Sequence, residues 1–390
     1  MKALVVTHVF PRWDGDPSAP FLLTWARALA SAGADVRVVA PWDPGLPGRG
    51  EVGGIPVRFV RYGPIRLAYQ GEMHLLARRP AGPVGIVALL SCMARAVRQE
   101  VRRDRPDIVH VHWWLPGALA VRLACVDVPV VVTVHGTDVA LLEGRPRLAA
   151  LARWALAGAA RVEAVSTDLA ARLERMTGRA ADAVNPMPLP ADRLPPLPLP
   201  VRNGASPRIL AVGRLVPEKG FADLVEAAGL LGPGVVVEIV GEGPERGRLA
   251  TLAARLGVRL DLPGRCTPGE LRAAYAHADV VAQPSHREGL GLAAAEALCM
   301  GLPVVATDSG GARDLLPLGD LLPPGDVQGL AVRLAAVTAH PAAARLHAAP
   351  YAEKARAWLA PAASASRTLE GWRAVTGEAR PATRISWCVD

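Results

Sequence analysis

Short runs of β-branched residues alternate with longer segments of helical period along most of this 390-residue chain. The runs are continuously apolar, which is typical of parallel strands that are buried on both faces. The predicted strands of the first half are Ala3–Thr7, Asp35–Ala40, Ile55–Val60, Asp107–His112, Val128–Val134 and Arg161–Val165. The segments between them, such as Phe21–Ala32 and Pro83–Arg103, have helical period. This order predicts a parallel sheet with helices packed on its faces.

A proline-rich stretch divides the chain. Eight prolines lie within residues 186–207, where neither a helix nor a central strand can persist. The alternation then restarts, with predicted strands Arg208–Val212, Val235–Val240, Arg259–Leu262, Asp279–Ala282 and Pro303–Ala306, and predicted helices 219–231, 244–256, 268–277, 291–300 and 326–337.

The predicted fold is therefore α/β, with two doubly wound parallel-sheet (Rossmann-like) domains facing a ligand-binding cleft. The domains are predicted at residues 1–190 and 208–360, with a linker at 191–207. Residues 361–390 are predicted as a C-terminal helix and tail that packs back on the first domain.

Composition excludes several classes of protein. Apolar residues make up 51% of the chain and charged residues 21%, so the chain is not disordered. The longest apolar runs are far shorter than the ~20 residues that span a bilayer. The five cysteines are scattered without a CxxC pair, which argues against a disulfide framework or a zinc ribbon and favours the cytoplasm.

The positive charge lies mainly in the first half of the chain. Residues 1–195 contain 24 Lys and Arg against 17 Asp and Glu, which favours an acidic partner. Nucleic acid is not expected, because aromatic residues make up only 4% of the chain. One segment is rich in arginine and predicts either a peripheral contact with anionic lipid or a solvated helix face. Its arginines are Arg78, Arg79, Arg95, Arg98, Arg102, Arg103 and Arg105.

Two stretches of the second half have the pattern of a ligand site. Residues 213–220, GRLVPEKG, follow a predicted strand and open a helix. Arg214 and Lys219, five positions apart across a Gly/Pro turn, are suited to hold a diphosphate. Residues 284–292, PSHREGLGL, again lead into a helix, and their glycines allow backbone N–H groups to approach an anion closely.

Two glutamates of the second stretch are expected to have separate roles. If residues 288–296 were wholly helical, Glu288 and Glu296 would be about 12 Å apart. That exceeds the ~5–9.5 Å between the paired carboxylates of glycosidases. We therefore expect them to contact opposite ends of one long ligand, with a solvated helix glutamate as the alternative.

Other candidate sites are weaker. His110 and His112 share a strand face and His135 ends the neighbouring strand, but no further ligand at suitable spacing supports a metal site. Structural or hydroxyl-binding histidines are the preferred interpretation. The string 241–247, GEGPERG, departs from the dinucleotide-binding spacing and contains Pro244, so a dehydrogenase is not predicted.

The two stretches resemble the landmarks of the retaining glycosyltransferases of family 4, which have the GT-B fold. The similarity is most specific at 213–220 and 288–316, and it extends to 131–138 (VVTVHGTD), 164–173 (AVSTDLAARL) and 322–331 (LPPGDVQGLA). The resemblance implies a bacterial hexosyltransferase-like enzyme. Its donor would be a nucleoside-diphosphate sugar, and it would need no metal or other cofactor.

The resemblance also implies roles for individual residues. Arg214 and Lys219 would hold the donor diphosphate, Glu288 the transferred sugar and Glu296 the ribose. His135 would face the sugar from the first domain. The backbone of Gly289, Leu290, Gly291 and Leu292 would contact sugar and phosphate oxygens, and Gly264, Arg265 and Cys266 would form the nucleobase wall.

Two departures from the family pattern bear on the identity of the acceptor more than on donor binding. Leu290 stands where the family usually has an aromatic residue, and the first loop, residues 10–20, lacks the common Gly-Gly pair. The acceptor is expected to be a small specialised metabolite, a glycolipid or a polysaccharide. The alternatives are a non-catalytic nucleotide-sugar-binding protein and a GT-B sugar-nucleotide epimerase. Donor base, sugar and acceptor are not identified by the sequence.

Overall fold

The computed structural model describes residues 1–16, 18–63, 68–69, 82–190 and 206–377. The chain divides into two compact units. Unit 1 contains Met1–Val165, Leu169–Pro188 and the chain from Pro361 onward, whereas unit 2 contains Ser166–Asp168 and Leu189–Ala360. Most of the predicted linker, at 191–205, lies outside the described residues, as do Arg78, Arg79 and the tail from residue 378.

The sheet of unit 1 has eight strands within the described residues. In chain order they are β1 (Lys2–Val6), β2 (Asp35–Pro41), β3 (Arg49–Val52), β4 (Ile55–Val60), β5 (Ile108–His112), β6 (Val130–Val134), β7 (Arg161–Ala164) and β8 (Ala183–Val184). Their order in the sheet is β3-β4-β2-β1-β5-β6-β7-β8. All neighbours are parallel except β3 and β4. The central strands are buried along their whole length, as their uninterrupted apolar sequence requires.

Helices cover the sheet of unit 1. They are α1 (Pro20–Ser31), α2 (Gly82–Asp104), α3 (Leu119–Ala124), α4 (Thr137–Ala140), α5 (Pro146–Leu156) and α6 (Thr167–Thr177). Ser166 and the first two residues of α6, Thr167 and Asp168, are grouped with unit 2.

The hairpin of β3 and β4 was not predicted from the sequence. The two strands pair antiparallel across Gly53 and Gly54, both of which have positive φ. Two consecutive residues in this conformation form the type of two-residue turn that joins hairpins, and glycine adopts it without steric cost. The Gly-Gly pair before an apolar run was the signal for this hairpin.

The sheet of unit 2 is wholly parallel in the described residues. Its strands are β9 (Arg208–Val212), β10 (Val236–Val240), β11 (Arg259–Gly264), β12 (Val280–Gln283), β13 (Val304–Thr307) and β14 (Leu321–Leu322), in the order β11-β10-β9-β12-β13-β14. The helices are α7 (Phe221–Leu231), α8 (Arg246–Leu256), α9 (Pro268–Ala276), α10 (Leu292–Cys299), α11 (Val327–Ala339) and α12 (Pro341–Leu359). The strands and helices predicted from the sequence are found with end shifts of up to two residues. The short strands β3, β8 and β14 were not predicted.

The last described helix, α13 (Pro361–Thr376), belongs to unit 1. Trp372 on this helix is fully buried and donates from its indole nitrogen to His110 Nδ1 at 2.9 Å. Thr368, one turn earlier, accepts a hydrogen bond from the Trp25 indole at 3.1 Å. Unit 1 therefore builds its core from both ends of the chain.

Each sheet has one point at which the strand order reverses direction. In unit 1 it lies between β1 and β5, and in unit 2 between β9 and β12. Loops that leave the carboxyl ends of the two strands at such a point diverge and leave a crevice, where ligands of doubly wound sheets bind. The loops after these four strands are therefore the expected positions of ligand-binding sites.

Candidate active site

The two predicted ligand stretches form the pair of loops at the switch point of unit 2. Residues 213–220 leave β9 and residues 284–291 leave β12, and these two strands are neighbours in the sheet. We call them the β9 loop and the β12 loop. The sequence had placed each stretch after a strand, and the fold brings the two together at one sheet edge.

An ion pair joins the two loops. Lys219 Nζ lies 2.5 Å from Glu288 Oε2, and Ser285 Oγ donates to the same carboxylate oxygen at 3.2 Å. The Glu218 carbonyl oxygen accepts from the backbone N–H of His286 at 2.9 Å. Arg214 is exposed on the β9 loop. The predicted cation and the predicted sugar-facing carboxylate are therefore direct neighbours.

Gly220 allows the close approach of these loops. Its φ is 62°, and a Cβ at this position would overlap the carbonyl oxygen of Pro284. Any other residue would force the two backbones apart. Because Gly220 interrupts the helical conformation, α7 begins at Phe221, and Pro217–Lys219 form a separate 3-10 turn.

A buried amide lies beneath the start of α10. Gly291 precedes the helix with a φ of 87°, and a Cβ there would come within 2.6 Å of Gln283 Nε2. Gln283 is 4% exposed, and its Oε1 accepts from Ala294 N at 3.3 Å. Its Nε2 has no hydrogen-bond partner among the described residues. An unsatisfied donor next to a helix N-terminus favours a ligand with acceptor oxygens, such as a phosphate. Gln283 was missed in the sequence, where it directly follows the predicted strand Asp279–Ala282.

The two glutamates do not lie on one helix. Because α10 begins at Leu292, Glu288 lies on the β12 loop and only Glu296 is helical. The separation of about 12 Å expected for a wholly helical stretch therefore does not apply. Glu296 is 6% exposed, so the alternative of a solvated helix glutamate is wrong. The Tyr275 hydroxyl donates to Glu296 Oε2 at 2.9 Å, and sequence reasoning missed this partner.

The residues predicted as a nucleobase wall lie farther along the same edge. Gly264 is the last residue of β11, and Arg265 and Cys266 follow it. Strand β11 is two strands away from β9, a distance of about 10 Å at the usual strand spacing. Arg265 is exposed, and burial, with Glu270 and Glu238 nearby, raises the pKa of the Cys266 thiol. The order along the edge fits an extended nucleotide with its phosphates at the switch point.

The glycines of the 241–247 string have a structural role. A Cβ on Gly241 would overlap the Gly213 carbonyl, and one on Gly243 would overlap the Leu215 carbonyl. Leu215 N donates to the Glu242 carbonyl at 2.9 Å. This loop therefore supports the β9 loop from below, which explains its glycines without a dinucleotide.

The predicted histidines form a cluster in unit 1. His112 Nδ1 lies 2.9 Å from His135 Nε2, and His110 Nε2 lies 2.8 Å from Thr133 Oγ1. Burial lowers the pKa of His110 to about 3 and holds those of His112 and His135 well below their usual value, so the three rings are neutral.

Asp138 fixes the backbone at His135. Its carboxylate accepts from the N–H groups of His135, Gly136, Val139 and Trp114 at 3.0–3.1 Å. Burial raises the pKa of Asp138, and these donors oppose that shift. Asp138 belongs to the HGTD string, which was noted only as a landmark.

Within the described ranges, no group of three or more His, Cys, Asp or Glu is arranged to hold a metal ion. In the same ranges, no helix is both long and apolar enough to cross a bilayer.

Two family models match this chain. Residues 19–192 match Glycosyltransferase Family 4, and residues 200–356 match Glycosyl transferases group 1. A 2-deoxystreptamine glucosyltransferase of Streptomyces kanamyceticus is 32% identical over 82% of this chain and 89% of its own length. A 2-deoxystreptamine N-acetyl-D-glucosaminyltransferase of Streptomyces fradiae is 33% identical, with 79% of each chain covered.

Solved structures have the same fold. The sucrose-phosphate synthase of Thermosynechococcus elongatus superposes with a TM-score of 0.79 at 21% identity, over 97% of this chain and 100% of that one. Anabaena HepE, solved in complex with UDP-glucose, gives 0.72 at 21% identity, over 96% and 100% of the two chains. Two parallel-sheet α/β units and these neighbours define the GT-B class, which confirms the predicted fold.

The chain belongs to the group 1 glycosyltransferases. The predicted family and the prediction of an enzyme are thereby confirmed. The assignments of His135 to the sugar, Glu296 to the ribose and Gly264–Cys266 to the nucleobase remain predictions.

Proposed function

We propose that this enzyme transfers a hexosyl group from a nucleoside-diphosphate sugar to an acceptor hydroxyl, with retention of the anomeric configuration. The observation that carries the proposal is the pair of switch-point loops in unit 2, where Lys219, Glu288 and the start of α10 lie together. HepE, which has the same fold, was solved with UDP-glucose, and this supports a donor of that class.

In the proposed reaction the bond between the anomeric carbon and the diphosphate oxygen breaks, and the diphosphate leaves with the bonding electrons. Arg214, Lys219 and the amides at the start of α10 stabilise the negative charge that develops on this group. These groups supply the stabilisation without a metal ion. The acceptor oxygen bonds to the anomeric carbon from the same face, and its proton passes to a phosphate oxygen of the leaving group.

Glu288 is suited to electrostatic stabilisation rather than to covalent attack. One of its carboxylate oxygens accepts from both Lys219 and Ser285, which lowers its nucleophilicity. Its negative charge still favours the positive charge that develops on the sugar ring in the transition state. We therefore assign Glu288 to the transferred sugar.

The acceptor is proposed to be an aminocyclitol. Both relatives described above are named for transfer to 2-deoxystreptamine, although they transfer different sugars. A shared acceptor name among relatives that differ in sugar supports the acceptor class more than it supports any one donor. Of the three acceptor classes expected from the sequence, the small specialised metabolite is thus preferred.

Incubation with radiolabelled UDP-glucose and UDP-N-acetylglucosamine, with and without 2-deoxystreptamine, tests the proposal. The expected result is a glycoside with the anomeric configuration of the donor, determined by proton NMR, and slow donor hydrolysis without the acceptor. An epimerised donor sugar would identify an epimerase. Unchanged donor, with binding seen by calorimetry, would identify a non-catalytic binder.

Two variants separate the roles of the glutamates. Glu288→Gln should lower kcat by more than it weakens donor binding, because its charge acts on the transition state. Glu296→Gln should mainly weaken the binding of free nucleoside diphosphate. Loss of diphosphate affinity in Glu288→Gln, with affinity retained in Glu296→Gln, would reverse the proposed orientation of the donor.

A peripheral membrane contact through unit 1 is a separate proposal. Helix α2 exposes Val84 and Val87 in its first turns and Arg95, Arg98 and Arg102 farther along the same side. Apolar residues followed by arginines suit the surface of an anionic bilayer. Sedimentation of the protein with phosphatidylglycerol vesicles tests this proposal. If the same fraction of protein sediments with phosphatidylcholine vesicles, the proposed contact with anionic lipid is refuted. The cytoplasmic location remains a prediction.

A further inference from the structure

The switch point of unit 1 has its own pair of loops. One leaves β1 and contains residues 7–16, and the other leaves β5 and begins at Trp113. The two loops meet, because the His8 and Trp113 rings are in edge contact at 4.6 Å. Because ligands of doubly wound sheets bind at the switch point, this edge is where unit 1 is expected to bind a small molecule.

We propose that Trp13, on the loop after β1, is the surface on which the ring of the acceptor stacks, and that it helps to select cyclic acceptors. This inference rests on the proposed function, since it assigns a specificity residue to the acceptor of that reaction. Trp13 is 53% exposed. Among the Phe, Tyr and Trp residues that the structure describes, it is the one that is exposed rather than buried or half-buried.

Arg12 holds the Trp13 ring from one side. Its guanidinium lies 4.4 Å from the centre of the Trp13 ring and 4.9 Å from that of Tyr69. Asp16 accepts from Arg12 Nε at 2.7 Å and Asp43 accepts from Arg12 Nη1 at 2.5 Å. Two carboxylates and two rings therefore fix this guanidinium.

The loop backbone is fixed as well. Asp16 accepts from Arg12 N at 2.9 Å and from Ser18 N at 3.1 Å. The Tyr69 hydroxyl donates to the Phe10 carbonyl at 3.0 Å and lies 3.2 Å from Phe10 N. An exposed indole on a rigid loop loses little conformational entropy when a ligand stacks on it, which increases affinity.

The free face of Trp13 fits a saturated ring better than a cation. The apolar C–H face of a cyclic polyol is removed from water when it lies on an indole. A cation on that face would be disfavoured, because the charge of Arg12 already lies on the opposite face. An amino group of the ligand would instead find the exposed carboxylate of Asp14.

A second polar group of the same loop favours a ligand at this edge. His8 Nδ1 is buried and has no hydrogen-bond partner among the described residues. Burial lowers the pKa of His8 to about 4, so the ring is neutral and its nitrogens serve as one donor and one acceptor. Such a nitrogen suits a hydroxyl group, which is the group that a polyol presents.

Kinetics with 2-deoxystreptamine as the probe test the proposal. Trp13→Ala should raise the KM for the acceptor by about 10-fold, which is the size expected when a main aromatic contact is truncated. Trp13→Phe keeps a ring and should stay within about 3-fold of the wild type. Donor hydrolysis without the acceptor should be unchanged in both variants, which shows that the fold and the donor site are intact.

Trp154→Ala is the matched control. Trp154 lies on α5 under the Arg122 guanidinium, 5.0 Å from its ring centre, so it too is an indole stacked by an arginine. It comes shortly before β7, and residues that precede a parallel strand lie at the opposite, amino edge of the sheet. The KM of Trp154→Ala for the acceptor should equal that of the wild type.

A binding measurement makes the test independent of one acceptor. In protein labelled with 5-fluorotryptophan, the fluorine resonance of Trp13 is assigned by its absence in Trp13→Phe. 2-Deoxystreptamine, glucosamine and myo-inositol are then added in the presence of UDP, with glycerol as the open-chain control. A shift of the Trp13 resonance by a cyclic compound, without a shift of Trp154, supports the proposal.

The outcomes separate the two proposals. If the wild type neither transfers nor hydrolyses a nucleotide sugar, the proposed function fails. If the enzyme is active but Trp13→Ala has an unchanged acceptor KM, the role of Trp13 is overturned. If none of the three cyclic compounds shifts the Trp13 resonance, the stacking surface is overturned even when donor hydrolysis is intact.

Discussion

Lowering the pH from 7 to 5 should destabilise unit 1, because its buried histidines are neutral in the folded state. His110 is 1% exposed and its pKa is lowered to about 3, and His112 is 0% exposed with a pKa well below the usual value. In the unfolded chain histidine side chains have a pKa of ~6.5. Between these values the unfolded chain binds protons that the folded unit does not, so acid favours unfolding.

The magnitude follows from the lowered pKa. For His110, with a pKa of about 3 when folded and ~6.5 when unfolded, the linkage relation gives a loss of about 2 kcal/mol between pH 7 and pH 5. His8, whose pKa is lowered to about 4 by burial, adds a similar amount, and His112 and His135 act in the same direction. A combined loss of about 4 kcal/mol is a large part of the 5–15 kcal/mol that stabilises most folded proteins.

Carboxylates contribute little in this pH window. Asp16 and Glu100, whose pKa values are lowered by arginine partners, stabilise the fold fully above their unfolded pKa values of ~4. Their contribution is lost only as the pH falls below that value. The pKa of Asp138 is raised in the folded state, so its protonation favours folding as the pH falls. This group would therefore offset part of the stability that the histidines lose.

Urea unfolding followed by tryptophan fluorescence measures the effect, because Trp25, Trp114 and Trp372 are buried in unit 1. The free energy of unfolding should fall steadily from pH 7 to pH 5. His110→Gln keeps a donor and an acceptor for Trp372 and Thr133 but cannot be protonated, so it should reduce this pH dependence by about 2 kcal/mol.

His277→Gln, at an exposed position in unit 2, should leave the pH dependence unchanged. Equal free energies of unfolding at pH 7 and pH 5 in the wild type would refute the reasoning.

Three further results are expected. Arg214→Ala and Lys219→Ala should each remove a charge-assisted contact of about 1.5–3 kcal/mol and weaken UDP or GDP binding at least ~10-fold by calorimetry, whereas Lys354→Ala, at an exposed position, should not. Tyr275→Phe should weaken diphosphate binding about 5-fold, because Glu296 loses the hydroxyl that orients it, and unchanged affinity would exclude this role. Turnover should survive EDTA, and a loss that Mg²⁺ or Mn²⁺ restores would show that a metal ion takes part.

The sequence predicted the strands and helices well because both sheets are parallel. Strands buried on both faces, such as Val130–Val134, leave an uninterrupted apolar run that differs clearly from the helical period around it. The hairpin at Gly53 and Gly54 was missed because β3 has only one buried residue and lies at the edge of the sheet.

The candidate site was predictable only where one loop contains the whole signal. Arg214, Lys219 and Glu288 stand in local patterns after strands, and local patterns are visible in a sequence. Ser285, which contacts Glu288, lies three residues before it on the same loop. Tyr275, which orients Glu296, lies on a different helix, so this contact depends on which elements lie side by side in space. The same applies to Gln283, whose importance comes from the burial of one amide nitrogen beneath Gly291.

The return of α13 to unit 1 constrains how the protein is made and engineered. A ribosome releases residues 1–188 long before it releases Trp372, so the pocket between Trp25 and His110 stays open during synthesis. Unit 2, apart from three residues, is one continuous stretch and can complete its core first. A chimera that exchanges acceptor specificity therefore needs two junctions, near residues 188 and 361. With both junctions, the core of unit 1 keeps the Trp372 of its own α13.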